Sequence, residues 1–353
     1  MRIFITHIVP HGKVAEYNMS FAACNFSYNL IGGGIFDTVY SILPTFVKGE
    51  VEAFDGLIYS RLRKCKGMLY RLAPIMECFS AFGKIPRKAS VWYYNCTTLN
   101  ITLMILLKLF KPGVKQNIIQ LDYTPSESFL ARLCLRIANS LNGTISLAPS
   151  PLFTCPNIAC LPGVVPDDYP EQPKVSQTNG EFLISGALGY NISMLSMLLK
   201  AFAKMPDKTL HITGKAPDMD LVKRYTDNYT NIIYHGVLPY DKYIELMHSV
   251  PFMLSTRNPD AAENQCNFPS KIIEALLHNR IIISTIHYEQ LDGIRYFEVP
   301  ADIEGFTDSI NAICRRPEEE LITYANQSNL VRERFSTKVW EDTMKKIENQ
   351  DYA

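Results

Sequence analysis

A chain of 353 residues is too long for one comfortable hydrophobic core, so two domains are expected. A hydrophobic share of 47% against 20% charged residues excludes a disordered chain, and matched counts of 35 for Lys+Arg and Asp+Glu disfavour a nucleic-acid-binding protein, which carries a basic excess. Nine scattered cysteines form no disulfide framework and no Cys-x-x-Cys pair with His partners, so reduced thiols and no zinc site are expected.

The opening Met1-Arg2-Ile3-Phe4-Ile5 passes straight into Thr6 and His7, which reads as a first β-strand and not a signal peptide. The longest apolar run, 99–110, is broken by Asn100, Thr102 and Lys108 and is shorter than the ~20 residues that span a bilayer. The expectation is a cytoplasmic protein, at most peripheral at the inner membrane surface.

In chain order, a buried strand is expected over 2–9 and a helix over 14–30, ended by Gly32-Gly33-Gly34. That glycine run follows a helix instead of leading into one, the wrong order for a dinucleotide fingerprint, and reads as a C-cap and turn. A strand over 36–43 is followed by a helix over 58–82 with a basic cluster at Arg61, Arg63, Lys64 and Lys66. The cluster is either a solvated face or a contact with anionic lipid. Strands over 90–94 and 117–121 bracket a dense apolar helix, 99–110. Asp122 closes the second of these strands, where open α/β sheets bind ligands. It is placed either to meet a ligand hydroxyl or to serve as a turn acid before Ser126. A helix over 129–141, a strand over 143–148 and a stretch over 157–166 that reads as a strand running into a Pro/Gly turn complete the first domain. The polar, proline-containing tract 166–180 marks the boundary.

The second half alternates more plainly. Strands are expected over 181–186, 209–213, 231–235, 251–255 and 281–283, with helices over 192–202, 218–226 and 240–248. Such alternation implies parallel sheets with helices on both faces. Asp218-Met219-Asp220 opens a helix, where acids are expected, and reads as capping and not as a metal pair. Helices over 309–314, 318–325 and 331–347 end the chain.

The most informative stretch is 264–285. Pro269 has no N–H to donate and a φ suited to a first helical turn. Ile272, Ile273, Ala275, Leu276 and Leu277 give the helix an apolar face, and Ile281 to Ile283 is a buried strand. The amides opening that helix, at Ser270 and Lys271, suit a phosphate. Glu274, one turn deeper, is either a solvated surface acid or a carboxylate for a ribose diol. If the strands are parallel, Gly186, Gly214-Lys215, Gly236-Val237-Leu238 and Arg257 gather beside it on one sheet edge.

The order Phe268-Pro269-Ser270-Lys271, an apolar pair, Glu274, an apolar run and a strand resembles the donor-site signature of family-four glycosyltransferases. These are retaining enzymes of the GT-B fold. The resemblance covers the second domain fairly well and the first only in architecture. It implies two Rossmann-like, doubly wound parallel-sheet domains facing a cleft: 1–165 on the acceptor side, joined by a returning helix over 336–353, and 166–335 binding the nucleotide sugar. It implies that Glu274 holds the ribose, that Gly236-Val237-Leu238 lines the base, and that the helix start at Phe268, Pro269, Ser270 and Lys271 meets the diphosphate. Asp122 matches an acceptor-side acid. The sequence departs from the family twice. Cys266 stands where a first Glu is usual, and the loop 185–191 holds no cation, which leaves Lys215, Arg257 or Lys271 to take that part, Lys215 first. The substrate implied is a nucleotide-diphosphate sugar, with no further cofactor and no metal, and the acceptor a glycan or lipid-linked glycan in surface polysaccharide synthesis. A catalytically impaired nucleotide- or glycan-binding relative and a nucleotide-sugar epimerase are the alternatives.

Overall fold

Ile3, Phe4 and Ile5 are β-branched and aromatic residues with no exposed surface, and they form the heart of the first strand, β1 (Arg2–Thr6). The structure, a computed structural model, describes residues 1–47, 57–59, 71–121 and 128–349, with 57–59 in backbone only. Asp122 and the basic cluster at Arg61, Arg63, Lys64 and Lys66 lie outside the described residues. The chain divides into two units, Met1–Asp168 with Phe335–Ala353, and Tyr169–Arg334.

In the first unit β1 is followed by β2 (Thr38–Ser41), β3 (Leu57–Tyr59), β4 (Ser90–Tyr94), β5 (Lys115–Gln120), β6 (Gly143–Ser146) and β7 (Asn157–Cys160). They lie in the order β3-β2-β1-β4-β5-β6-β7, every pair parallel. Helices α1 (Phe21–Gly32), α2 (Ala73–Lys84), α3 (Ile101–Phe110) and α4 (Phe129–Ala138) make the connections. Val91, Tyr93 and Ile118 of the strands pack with Leu103 and Leu107 of α3 in one core.

The second unit repeats the plan with six parallel strands: β8 (Glu181–Ala187), β9 (Thr209–Lys215), β10 (Ile232–Tyr234), β11 (Phe252–Ser255), β12 (Ile281–Ser284) and β13 (Phe297–Glu298). Their order is β10-β9-β8-β11-β12-β13. The helices are α5 (Tyr190–Ser193), α6 (Leu195–Ala203), α7 (Met219–Asn228), α8 (Tyr240–Ser249), α9 (Ala262–Cys266), α10 (Ser270–Leu277), α11 (Ile303–Cys314), α12 (Glu318–Tyr324) and α13 (Ser328–Phe335), before a last helix, α14 (Thr337–Asn349), belongs again to the first unit. No helix among the described residues is long and apolar enough to cross a membrane.

Most differences from the sequence-based elements have a local cause. The helix expected from residue 14 begins only at Phe21, because Asn18 turns left-handed (φ 51°) and Ser20 caps the amide of Ala23. Residues 57–59 are a strand, and the helix expected across them starts at Ala73. Met194 is left-handed and splits the helix expected over 192–202; the Thr256 hydroxyl takes the Ser193 carbonyl at 2.6 Å, removing it from the helical ladder. The final helix breaks at Ser336, where the Val165 amide takes the Phe335 carbonyl at 2.8 Å. Asp218 caps α7 by accepting from the Leu221 amide, as its place at a helix start implies. The seven cysteines with described side chains are all free thiols.

Two polar clamps secure the ends of the units. In the first, α14 buries Trp340, whose Nε1 donates to the Gly163 carbonyl at 2.8 Å, and Gly33 admits the start of this helix because a Cβ there would meet Thr337 at 2.6 Å. Glu348 then accepts from Arg2 Nε (2.8 Å) and Nη2 (2.7 Å), Ser90 Oγ (2.6 Å) and Trp92 Nε1 (2.7 Å). Burial pushes the Glu348 pKa up, but these donors outweigh it and the net shift is downward. In the second unit, the segment opening at Tyr169 is tied to the far end of α10. The Tyr169 hydroxyl lies 2.9 Å from His278 Nε2, and His278 Nδ1 lies 2.8 Å from His248 Nε2. Arg280, buried beside them, donates to the backbone carbonyls of His278, His248, Val250 and Pro173. Burial first, and His248 second, hold the His278 pKa down at about 4.

Two outcomes follow. Glu348→Gln removes the charge paired with half-buried Arg2 and is expected to cost about 2–4 kcal/mol in urea unfolding at pH 7, a deficit that narrows as acid protonates the wild-type carboxylate. A His with a depressed native pKa resists the proton that the unfolded chain accepts. Wild-type stability is therefore expected to fall as pH drops from about 6.5 toward about 4. His7, held down at about 4 by burial in the same way, contributes to the same fall, so His278→Gln should make it shallower without abolishing it; an unchanged slope in the variant would place its origin elsewhere.

Candidate active site

Because every strand of the second sheet runs the same way, the residues that follow each strand emerge at one edge. Between β8 and β11 the strand order reverses, and open α/β sheets place their ligands at the carboxyl ends of such a pair. Ser185, Gly186 and Ala187 close β8 on one side of this switch point; on the other, β11 ends at Ser255, and Thr256 and Arg257 follow it.

Three glycines line the edge on the β8 side. Gly186 of β8 pairs with Gly214 of β9, both with positive φ (108° and 131°), and Gly236 follows β10 at φ 71°. The Gly214 amide donates to the Gly236 carbonyl at 2.8 Å, as does Thr213 Oγ1. A Cβ on Gly214 would sit 2.0 Å from the Gly186 carbonyl oxygen, so only glycine fits. The edge is therefore bare backbone. Val237, just beyond it, is 73% exposed, Leu238 is partly buried, and Lys215 extends from the end of β9 with an exposed side chain.

Helix α10 starts beside this edge with Pro269 as its N-cap residue and no side-chain cap. Ser270 is exposed. Phe268 and Pro269 are buried, Phe268 with its ring 5.0 Å from that of Tyr288. Their placement anchors the segment in the core, so the exposed part of the helix start is Ser270 and Lys271. One turn in, Glu274 Oε2 accepts from Lys271 Nζ at 2.7 Å and from the Tyr243 hydroxyl at 3.1 Å. Since a carboxylate only accepts, the Tyr243 hydroxyl gives its proton to Glu274 and accepts in turn from Ser185 Oγ at 3.3 Å. Lys271 Nζ also sits 4.2 Å above the Tyr243 ring. Burial, with the Glu274 charge second, pushes the Tyr243 pKa up and keeps the phenol a donor. Ser185, Tyr243 and Glu274 thus form one directed chain from the end of β8 through α8 to α10.

On the β11 side a second polar network fixes the backbone. Asn264 donates to the carbonyls of Asn191 (2.8 Å) and Asn258 (2.9 Å) and accepts from Arg257 Nη1 at 3.0 Å. Glu263 accepts from Asn191 Nδ2 at 3.0 Å. The structure so brings Arg257 into a network of amides at the switch point, with Glu274 and Lys271 in another and Lys215 outside both. Tyr243, Asn191 and Asn264 were not among the residues singled out from the sequence. The pairing of Tyr240 and Tyr243 three residues apart on one helix is the trace they leave there; which acid the phenol meets is a tertiary fact.

No protein-family model matches the chain, and no curated protein matches it. Solved structures do. An α,α-trehalose-phosphate synthase (UDP-forming) from Burkholderia xenovorans in complex with glucose-6-phosphate is 13% identical with a TM-score of 0.64, over 99% of this chain and 100% of that one. The two units, each wound around a parallel sheet, follow the same plan. The fold is GT-B. Anabaena HepE in complex with UDP and glucose is 14% identical with a TM-score of 0.62 over 98% of each chain. The GtfA/B complex is 15% identical with a TM-score of 0.57 over 77% of this chain, which spans 60% of that one. At these identities the likeness is one of fold.

Gly214→Ala forces a left-handed alanine against the Gly186 carbonyl and is expected to cost about 2–4 kcal/mol in urea unfolding. Gly236→Ala, with positive φ but open space around it, is expected to cost about 1 kcal/mol. Equal losses would mean that the close approach of β8 and β9 does not limit this edge.

Proposed function

We propose that the chain is a glycosyltransferase that moves a sugar from a nucleotide-diphosphate sugar to a glycan or lipid-linked acceptor. The observation that carries this reading is the placement of Glu274. Its carboxylate stands a turn inside an uncapped helix start, at the strand ends beside the switch point, held by Tyr243 and Lys271. One oxygen takes both of these donors, which leaves the other for a ribose hydroxyl. The amides of Ser270 and Lys271 suit a diphosphate, whose charge grows as the glycosidic bond breaks. The glycine edge at Gly186, Gly214 and Gly236 admits a close backbone approach, and exposed Val237 offers an apolar surface to a base, with Leu238 beside it. Structural neighbours, one in complex with UDP and glucose and one a UDP-forming synthase, support this class of donor.

The cation for the diphosphate is assigned to Lys215, whose side chain is exposed at the end of β9, while Arg257 is engaged with Asn264. Transfer with retention, with the donor phosphate taking the acceptor proton, belongs to the same reading. So do an acceptor-side role for Asp122, a place in surface polysaccharide synthesis and peripheral contact with the inner membrane surface. No metal or further cofactor is called for. The absence of a cation from loop 185–191, together with Cys266 in place of a Glu, favours a nucleotide-binding relative without transfer as the second reading; an epimerase on the same fold would release free epimer without acceptor.

The test is a thermal-shift panel of nucleoside diphosphates on the full chain, followed by labelled sugar nucleotides. One nucleoside diphosphate at saturation is expected to raise the midpoint by a few degrees. Glu274→Ala should abolish that rise with little change in the ligand-free midpoint. Tyr243→Phe, which frees the carboxylate from its positioning hydroxyl, should weaken binding about tenfold. A panel with no shift at all would overturn the reading. Tight binding without hydrolysis or transfer would select the non-transferring relative.

A further inference from the structure

Helices are expected to bury their apolar face and present a polar one. Helix α2 does not. It buries Ala73, Pro74, Glu77, Cys78 and Ala81, yet its outward face carries Ile75, Met76 and Phe79. Helix α3, packed against it, buries Leu103, Met104 and Leu107 and leaves Ile105, Leu109 and Phe110 exposed. Phe79, Leu109 and Phe110 are 54%, 67% and 63% exposed. The two faces are continuous: Phe82 of α2 meets Phe110 of α3 edge-on, ring centres 6.3 Å apart. Neighbouring exposed apolar side chains on two packed helices mark an interaction surface.

The outward charge that this segment itself carries is of one sign. Between residues 71 and 121 the sequence holds seven Lys and Arg and a single acid, Glu77, in a chain whose overall net charge is +0. Glu77 is buried and accepts from the Leu43 amide, so it does not face outward. Lys84 at the end of α2 and Arg87 and Lys88 in the turn before β4 are exposed, as is Lys108 in the last turn of α3, whose ammonium also reaches the Ser140 carbonyl at 3.3 Å. Lys111 folds back onto the carbonyls of Phe82 and Ile85, its ammonium 4.4 Å from the Phe82 ring. In a parallel α/β unit these helix ends lie at the amino edge of the sheet, opposite the strand ends that carry ligands. An apolar stripe bordered at one end by cations is the pattern of a helix face that enters the headgroup region of an anionic bilayer.

We propose that the outer face of α2 and α3 docks the first unit on an anionic phospholipid surface, with Phe79, Leu109 and Phe110 inserted among the acyl-chain ends and Lys84, Arg87, Lys88 and Lys108 on the headgroups. The charge complementarity favours this occupant over a second copy of the chain, whose equivalent face carries the same cations. The proposal deepens the membrane part of the reading above and is independent of its chemistry.

The test is co-sedimentation of the full chain with vesicles of phosphatidylcholine alone and of phosphatidylcholine with 30% phosphatidylglycerol. Binding is expected to the anionic vesicles, to fall with added salt, and to be weak on neutral ones. The triple variant Lys84→Glu, Arg87→Glu, Lys88→Glu should lose at least tenfold in partition, since each cation near the surface contributes roughly fivefold. Phe79→Asn with Leu109→Asn should lose a similar factor at an unchanged melting midpoint. Both variants should keep any nucleoside diphosphate shift of the parent, which separates this result from the fate of the transferase reading. Absence of binding to either vesicle, or equal binding by parent and variants, overturns the proposal. A parent dimer in light scattering that the apolar variant converts to monomer, without vesicle binding, assigns the face to self-association and overturns it too.

Discussion

Strand direction governs how this molecule is put together. All strands of both sheets run parallel, and a right-handed crossover must carry the chain back over the sheet before each new strand. Everything that follows a strand then emerges at one edge. In the second unit that rule alone brings Gly186, Gly214, Gly236 and Arg257 to the same side, although nearly 30 residues separate neighbouring members of the set at most. The reversal of strand order between β8 and β11 opens the place where a ligand can reach them.

Within that edge the polar groups are arranged to hold a carboxylate in position without neutralising both of its oxygens. Lys271 and Tyr243 converge on one oxygen of Glu274, and the lysine is itself settled over the tyrosine ring. Ser185 completes the chain and ties it to β8. The cluster is therefore built on rigid elements, a strand end and two helices, and they hold its acid in one orientation. The second network, around Asn264 and Arg257, uses side-chain amides to satisfy loop carbonyls, which a turn near a sheet edge leaves without partners.

Net charge conceals a division of labour. The chain balances to zero, yet the α2–α3 face of the first unit is cationic and apolar. Acids and bases elsewhere pair locally, as in Lys242 with Glu245 and Arg316 with Glu320, pairs on exposed helix faces that add little stability. The clamps that matter for folding are the more shielded ones. Glu348 gathers donors from β1 and β4 onto the last helix, and Arg280 spends its charge on four backbone carbonyls.

The strand and helix alternation of the second half was legible because each element carries its own period: β-branched runs such as Ile281 to Ile283, an apolar stripe from Ile272 to Leu277, and an Asp at a helix start. The parallel architecture followed from that alternation. What local periodicity does not encode is where a distant group intrudes. The breaks at Met194 and Ser336 arise because Thr256 and Val165 take carbonyls that a helix would otherwise use. The positioning of Glu274 by Tyr243 joins residues 31 apart, and the burial of Phe268 is settled by Tyr288. Which segments become strands and helices is written in local composition, because those choices rest on neighbours three or four residues away. Which carboxylate is held, by which hydroxyl, and which helix face stays uncovered were decided only by tertiary structure, because those depend on side chains that meet across the sheet and between packed helices.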